Sequence, residues 1–131
     1  MKLGVDIVEI HRIDMMIKRN NSQLLDRILT EYEKSTIGDI SENCERLAGF
    51  WAAKEAAVKA LGTGFRAGIS FHDMEIHHDE LGCPYYFFSG EFLRIMQEKK
   101  FQHSALSISH CKSHAIATAI LSWMILIIKD Y

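Results

Sequence analysis

The stretch Phe50-Trp-Ala-Ala-Lys-Glu-Ala-Ala-Val-Lys-Ala-Leu-Gly-Thr-Gly64 reads as a helix that carries Lys54, Glu55 and Lys59 into a glycine turn. Such a segment can hold a cation, offer positive charge to phosphate, and expose backbone N–H groups at one spot. A second acid, Asp6, lies inside an apolar N-terminal strand. A carboxylate there loses hydration and needs a cation or several hydrogen-bond donors. A turn cap, an ion pair with Arg12 or a divalent ion would each meet that need. Together these residues point to metal-assisted chemistry on a phosphate ester.

On a helical wheel Leu47, Phe50, Trp51, Val58 and Leu61 share one apolar arc, with Glu55 and Lys59 beside its edge. Four residues apart, that pair reads first as a surface ion pair, favourable by about 0.3–0.5 kcal/mol. Lys54 falls in the middle of the arc, where a lysine either snorkels out or meets a carboxylate. Asp6 and Glu55 are its expected partners. Gly62, Thr63 and Gly64 end the helix, and a C-cap is the ordinary use of glycine there. A helix C-terminus carries partial negative charge, so anion binding would have to rely on turn N–H groups plus Lys59 and Arg66. His110 closes Ser107-Ile-Ser-His at a strand end, where it can contact phosphate, move a proton or simply sit in a turn. His77 and His78 are adjacent on a strand and point to opposite faces, which argues against one shared metal site. The aromatics Tyr85 to Phe88 read as core.

The elements that must position these residues follow from periodicity. Leu3 to Ile10 is apolar on both strand faces, Leu3, Val5 and Ile7 on one and Val8 and Ile10 with Asp6 on the other, which predicts a central, covered strand. Helical spacing recurs at Ile13, Met16 and Ile17 and again at Leu24, Leu25, Ile28 and Leu29. Thr30-x-x-Glu33 is a capping-box pattern. The long helix is predicted from about Cys44 to Leu61, stopping at Gly62. Phe71 to His78 alternates as a strand, and Leu81 to Pro84 is a turn into a second strand, Tyr85 to Phe88. Ser89 or Gly90 caps a helix through Lys99. Ala105 to His110 and His114 to roughly Ile125 form a hairpin around Cys111 to Ser113. This order predicts an α+β chain, one domain over residues 1–131, with a long helix and short helices packed on a largely antiparallel sheet.

A length of 131 residues is enough for one real core, and 48% hydrophobic with 24% charged residues is ordinary for a soluble domain. A formal charge of -2 argues against a general nucleic-acid binder. Basic residues nevertheless gather locally, with Arg12, Lys18, Arg19 and Arg27 against Asp14 and Asp26. Cys44, Cys83 and Cys111 are odd in number and lack CxxC spacing, which argues against a disulfide framework or zinc site. No signal peptide is visible, and the apolar run from Ala115 to Ile128 is too short to span a membrane. The expected compartment is the cytoplasm.

In order and spacing, Gly4-Val-Asp-Ile-Val-Glu-Ile-His-Arg-Ile13, the Phe50 to Gly64 segment, Ile69-Ser-Phe-His-Asp-Met-Glu-Ile76, Gly82-Cys-Pro84 and Ser107-Ile-Ser-His110 form a specific set. The chain resembles, over about Leu3 to Leu121, the holo-[acyl-carrier-protein] synthase family, the small bacterial 4′-phosphopantetheinyl transferases. The resemblance implies the fold of that family and transfer of 4′-phosphopantetheine from coenzyme A to a serine of apo-acyl carrier protein, a step in fatty acid biosynthesis that releases adenosine 3′,5′-bisphosphate. It makes Asp6 and Glu55 ligands of Mg2+ and Lys59 the lysine beside the phosphates. Gly62, Thr63 and Gly64 become the loop near the nucleotide, His110 a contact near the 3′-phosphate, and Arg12 and Arg27 part of the carrier-protein docking surface. It also implies a homotrimer with sites shared between subunits, and neither nucleic acid nor membrane as partner. Phe50 departs from an arginine frequent in relatives, Cys83 from the lysine of a Gly-Lys-Pro turn, and His114 from a common tyrosine. The tail from Ser122 to Tyr131 is longer and more apolar than the family pattern.

On this reading the cation offsets the charge of the pyrophosphate, and Lys59 meets the charge that develops on the leaving bisphosphate. The base that takes the serine proton stays open between a carboxylate and a water. Two rival readings remain, a metal-free module that binds a nucleotide or an acidic protein, and another metal-dependent phosphotransferase or hydrolase.

Overall fold

The computed structural model describes residues 1–40, 42–66 and 68–123. Strand β1 (Lys2–Glu9) runs into α1 (Ile10–Ile28), followed by α2 (Glu31–Ile37) and the long α3 (Cys44–Leu61). The hairpin β2 (Met74–His78) and β3 (Pro84–Phe88) precedes α4 (Gly90–Glu98), and β4 (His103–His110) with β5 (His114–Ser122) completes the order. All strand pairing is antiparallel, in a three-stranded sheet ordered β1-β5-β4 and the two-stranded β2-β3. The expected α+β architecture, a long helix on an antiparallel sheet, is what the chain adopts.

Helix α3 forms because twelve of its eighteen residues are buried against neighbours, and eight of those twelve are alanine or leucine, the strongest apolar helix formers. It ends at Gly62, whose left-handed φ of 85° lets its N–H return to Val58 O, 2.9 Å away. Lys99 Nζ donates to Leu61 O at 2.8 Å, so a cation meets the negative end of the helix. The apolar arc drawn on the wheel proves too narrow. Ala48, Ala52, Ala53, Ala56, Ala57 and Ala60 are buried as well, because α3 is covered by the sheet on one side and by α1 and β2-β3 on others. Alanine was the signal, since a small side chain on a central helix admits a close neighbour.

That neighbour is β1. A Cβ at Gly4 would lie 2.0 Å from Ala56 O, so only glycine allows the strand to cross the helix this closely. Gly4, Asp6 and Val8 share the face turned to α3. The expectation of a central, covered β1 is overturned. β5 is the central strand, β1 is an edge, and Leu3, Val5 and Ile7 are exposed in the single chain, at 59%, 44% and 62%. Two apolar faces do not distinguish a strand between layers from one whose outer face awaits a partner.

Other local expectations fare unevenly. The two apolar groups between Ile13 and Leu29 belong to one helix, α1, apart from Leu29 at its C-cap. Thr30 and Glu33 form the reciprocal capping box, with bonds of 2.9 and 3.2 Å. Phe71–Asp73 is a single 3-10 turn and β2 starts only at Met74, because Asp73 turns inward to accept bonds from Ser70 Oγ and Phe92 N–H. Tyr86 and Phe88 stack inside, whereas Tyr85 and Phe87 are exposed, so only alternate members of that aromatic run are core. Tyr86 donates to Ala53 O at 2.5 Å, and burial pushes its phenol pKa up. The predicted end of the last strand near Ile125, and most of the apolar tail, lie outside the described residues.

Candidate active site

The antiparallel register places Asp6 opposite Ala117 on β5 and turns its carboxylate toward α3. There Lys59 Nζ stands 2.9 Å from Asp6 Oδ1 and 3.2 Å from Val5 O. Among the described residues the ion pair of Lys59 is therefore with Asp6 on the neighbouring strand, and the expected helical pair with Glu55 gives way to it. Arg12, the alternative partner for Asp6, stays exposed on α1.

Glu55 lies one turn before Lys59. Burial raises its carboxyl pKa above the ordinary range, the charge of Asp6 adds to the shift, and Lys59 partly offsets it. Two carboxylates thus share one region with a single ammonium between them. The surplus negative charge there is what a divalent cation relieves. The donors are hard oxygens, which suit Mg2+. Among the described residues no group of three or more His, Cys, Asp or Glu is arranged to hold a metal. A shell of one or two carboxylates completed by substrate phosphate is the usual habit of Mg2+, so the residues present fit that ion.

Glu55 also opens onto a cleft of about 460 Å³ lined by Met16, Arg27, Ile28, Trp51, Phe65 and Phe71. Arg27, expected on a docking surface, thus stands at the same cleft as Glu55. Gly62, Thr63 and Gly64 form the turn after α3, with Thr63 Oγ donating to Gly64 O at 3.0 Å and Gly64 at a φ of 65°. Lys59 and Lys99 both sit at this end of α3, which offsets the sign problem of an anion at a helix C-terminus.

Two predicted residues lie elsewhere in the single chain. Arg12 is exposed near the start of α1. His110 lines a small pocket of about 150 Å³ with Arg46, Phe50 and His78, and a shallow groove with Ile7, Cys111 and Ile116. Phe50 is buried and stacks on His78 with ring centres 5.9 Å apart, so an apolar ring fills the place where relatives often carry arginine. His77 turns the other way and stacks on Tyr32 at 4.2 Å, as the alternation required. Cys44, Cys83 and Cys111 are free thiols.

Lys54 corrects the sequence reading most sharply. It is fully buried, and its partner is neither Asp6 nor Glu55 but Glu33, with Nζ 2.6 Å from Oε1. Ile28 O at 2.7 Å and Phe71 O at 3.0 Å complete its three acceptors. Glu33 in turn accepts from Thr30 N–H and, through Oε2, from Ile76 N–H at 2.9 Å. The capping box had marked Glu33 only as a local cap, and nothing local marks a side chain that also reaches α3, through Lys54, and β2, through Ile76.

Residues 2–119 match the family model described as the 4′-phosphopantetheinyl transferase superfamily. The chain is 42% identical over 119 residues to a holo-[acyl-carrier-protein] synthase of Vibrio parahaemolyticus, covering 91% of this chain and 94% of that one. It is 37% identical to the protein of that name from Verminephrobacter eiseniae, covering 92% of each. Among solved structures, the Helicobacter pylori holo-[acyl-carrier-protein] synthase in complex with coenzyme A aligns with a TM-score of 0.81 at 33% identity, over 92% of this chain and 99% of that one. The Neisseria meningitidis synthase aligns with a TM-score of 0.83 at 32% identity, over 92% and 97%.

Proposed function

The chain belongs to the 4′-phosphopantetheinyl transferase superfamily, and from that premise we propose that it transfers the 4′-phosphopantetheine group of coenzyme A to a serine of apo-acyl carrier protein. The single observation that carries the assignment of its active site is the meeting of Asp6, from β1, with Lys59 and Glu55, from α3, the last of which lines an open cleft.

Asp6 and Glu55 would hold Mg2+, which when bound supplies charge to offset the anionic pyrophosphate. Lys59 is already anchored by Asp6 and Val5 O, so its ammonium is held in place before substrate arrives. It stabilises negative charge on the departing adenosine 3′,5′-bisphosphate without reorganisation. Lys59, the turn Gly62 to Gly64 and His110 would hold the nucleotide end of coenzyme A. Arg46 lines the pocket of His110, so a guanidinium is present there despite Phe50.

The carrier is acidic, and Arg12 and Arg27 stand exposed on α1 to meet it, whereas Lys18 is paired with Asp14 at 2.9 Å. Leu3, Val5, Ile7 and Ile116 make an exposed apolar strip on the sheet, and His110 adjoins it beside Ile7 and Ile116. Both features support a homotrimer in which one subunit lends His110 to a neighbour's site. Among the described residues no helix is long and apolar enough to cross a membrane, and we place the chain, as one domain over residues 1–131, in the cytoplasm.

The test is incubation with coenzyme A, Mg2+ and apo-acyl carrier protein, followed by mass measurement of the carrier. The carrier gains the mass of the phosphopantetheine arm, and omission of Mg2+ prevents the gain. An unchanged mass with a competent carrier and coenzyme A would overturn the assignment.

A further inference from the structure

We infer that Lys54 and Glu33 are positioning residues that hold two segments lining the catalytic cleft, the end of α1 and the turn before β2, at a fixed place relative to Glu55. Lys54 is the residue before Glu55 on α3, yet its side chain turns inward and is fully buried. Its ammonium grips Ile28 O and Phe71 O, and Ile28 and Phe71 both line the cleft that Glu55 enters. The first carbonyl belongs to the last turn of α1, immediately after Arg27. The second belongs to the turn that leads into β2.

Glu33 closes the arrangement from the other side. It takes the remaining donor of Lys54 and fixes the starts of α2 and β2 through Thr30 N–H and Ile76 N–H. Five segments are thus tied to one ammonium–carboxylate pair. No buried side-chain nitrogen or oxygen among the described residues lacks a partner, so the network is complete. A side chain that touches no substrate can therefore set where Arg27 and the aromatic wall stand, and displacements of about 1 Å at such a wall cost on the order of 100-fold in rate.

This inference rests on the transferase reading only for its kinetic arm. The other arm uses Trp51, which lines the cleft and packs on Phe71 with ring centres 5.3 Å apart. In a Trp123→Phe background Trp51 is the sole tryptophan, since the chain has two. Lys54→Met is expected to keep its secondary structure by circular dichroism while Trp51 emission moves to the red and its quenching by iodide rises. With carrier protein as the varied substrate, kcat/KM is expected to fall roughly 10- to 100-fold. The effect of Arg27→Ala on that ratio is expected to shrink in the Lys54→Met background, because the wall that presents Arg27 has already moved. Unchanged Trp51 emission together with an undiminished Arg27→Ala effect would overturn the inference. If wild-type chain fails to modify the carrier, the transferase reading fails and Trp51 emission alone decides the position of the wall. Should Lys54→Met not fold, Glu33→Gln, which leaves both carbonyl bonds of Lys54 in place, goes through the same measurements. Failure of both variants to fold would assign the pair to folding alone and likewise overturn it.

Discussion

Helix α3 carries the lysines of two lysine–carboxylate pairs, Lys54 with Glu33 and Lys59 with Asp6, and their fates differ. Lys54–Glu33 is sealed from water, with every donor and acceptor used. Lys59–Asp6 is open, the lysine side chain 52% exposed and the aspartate 15%, with Glu55 alongside and its charge only partly answered. The chemical parts are the same. Saturation decides the outcome: a pair with no spare valence binds the protein to itself, and a pair with surplus negative charge is ready to bind something else.

The strongest way to break this comparison is to remove the open site. Asp6→Ala or Glu55→Ala is expected to reduce transfer by roughly 10³-fold or more while the melting temperature stays within a few degrees of wild type. Near-normal turnover of either variant at limiting Mg2+ would show that the open pair is not the site.

Stability separates the two lysines next. Lys54→Met strands the Glu33 charge and two carbonyls and is expected to cost about 3–5 kcal/mol in urea unfolding. Lys59→Met, at a partly solvated pair, is expected to cost about 1 kcal/mol or less while transfer collapses. Equal losses of stability would erase the distinction.

Proton linkage sharpens it further. The pKa of Glu55 is raised on folding, so between 4.5 and that higher value the folded chain keeps a proton that the unfolded chain has released. Its contribution to stability therefore falls as pH rises through that window. Mg2+ needs the ionised carboxylate, so its affinity rises over the same window. The stability difference between wild type and Glu55→Gln should carry this slope, and added Mg2+ should flatten it. A difference independent of pH would remove the surplus charge from the argument.

The smallest effect belongs to the exposed guanidinium groups of α1. Arg12→Glu or Arg27→Glu is expected to raise KM for carrier protein several-fold more than KM for coenzyme A, and the gap should narrow with added salt. Equal changes in both constants would argue against docking through α1.

Much of the molecule was legible before folding was considered. The bounds of α3, its Gly62 cap, the Thr30–Glu33 box and the turn before β3 all rest on neighbours in sequence, and each stands as read. The set Asp6, Glu55 and Lys59 was legible too, because an acid in an apolar strand and a charged helix face are conspicuous. Illegible were the buried role of Glu33, the edge position of β1 and the displacement of His110 from the cleft of its own chain. None of these leaves a periodic trace.

The sequence by itself determined the elements, because hydrogen bonds within a helix, caps and side-chain alternation act over a few residues. Only the tertiary structure decided partners. Lys59 takes Asp6 across 53 residues, and Lys54 takes Glu33 across 21 in place of the adjacent Glu55. Those choices are made by packing: Gly4 lets β1 lie against Ala56, which brings Asp6 within reach of Lys59, and burial of Lys54 turns its ammonium to Glu33 on α2.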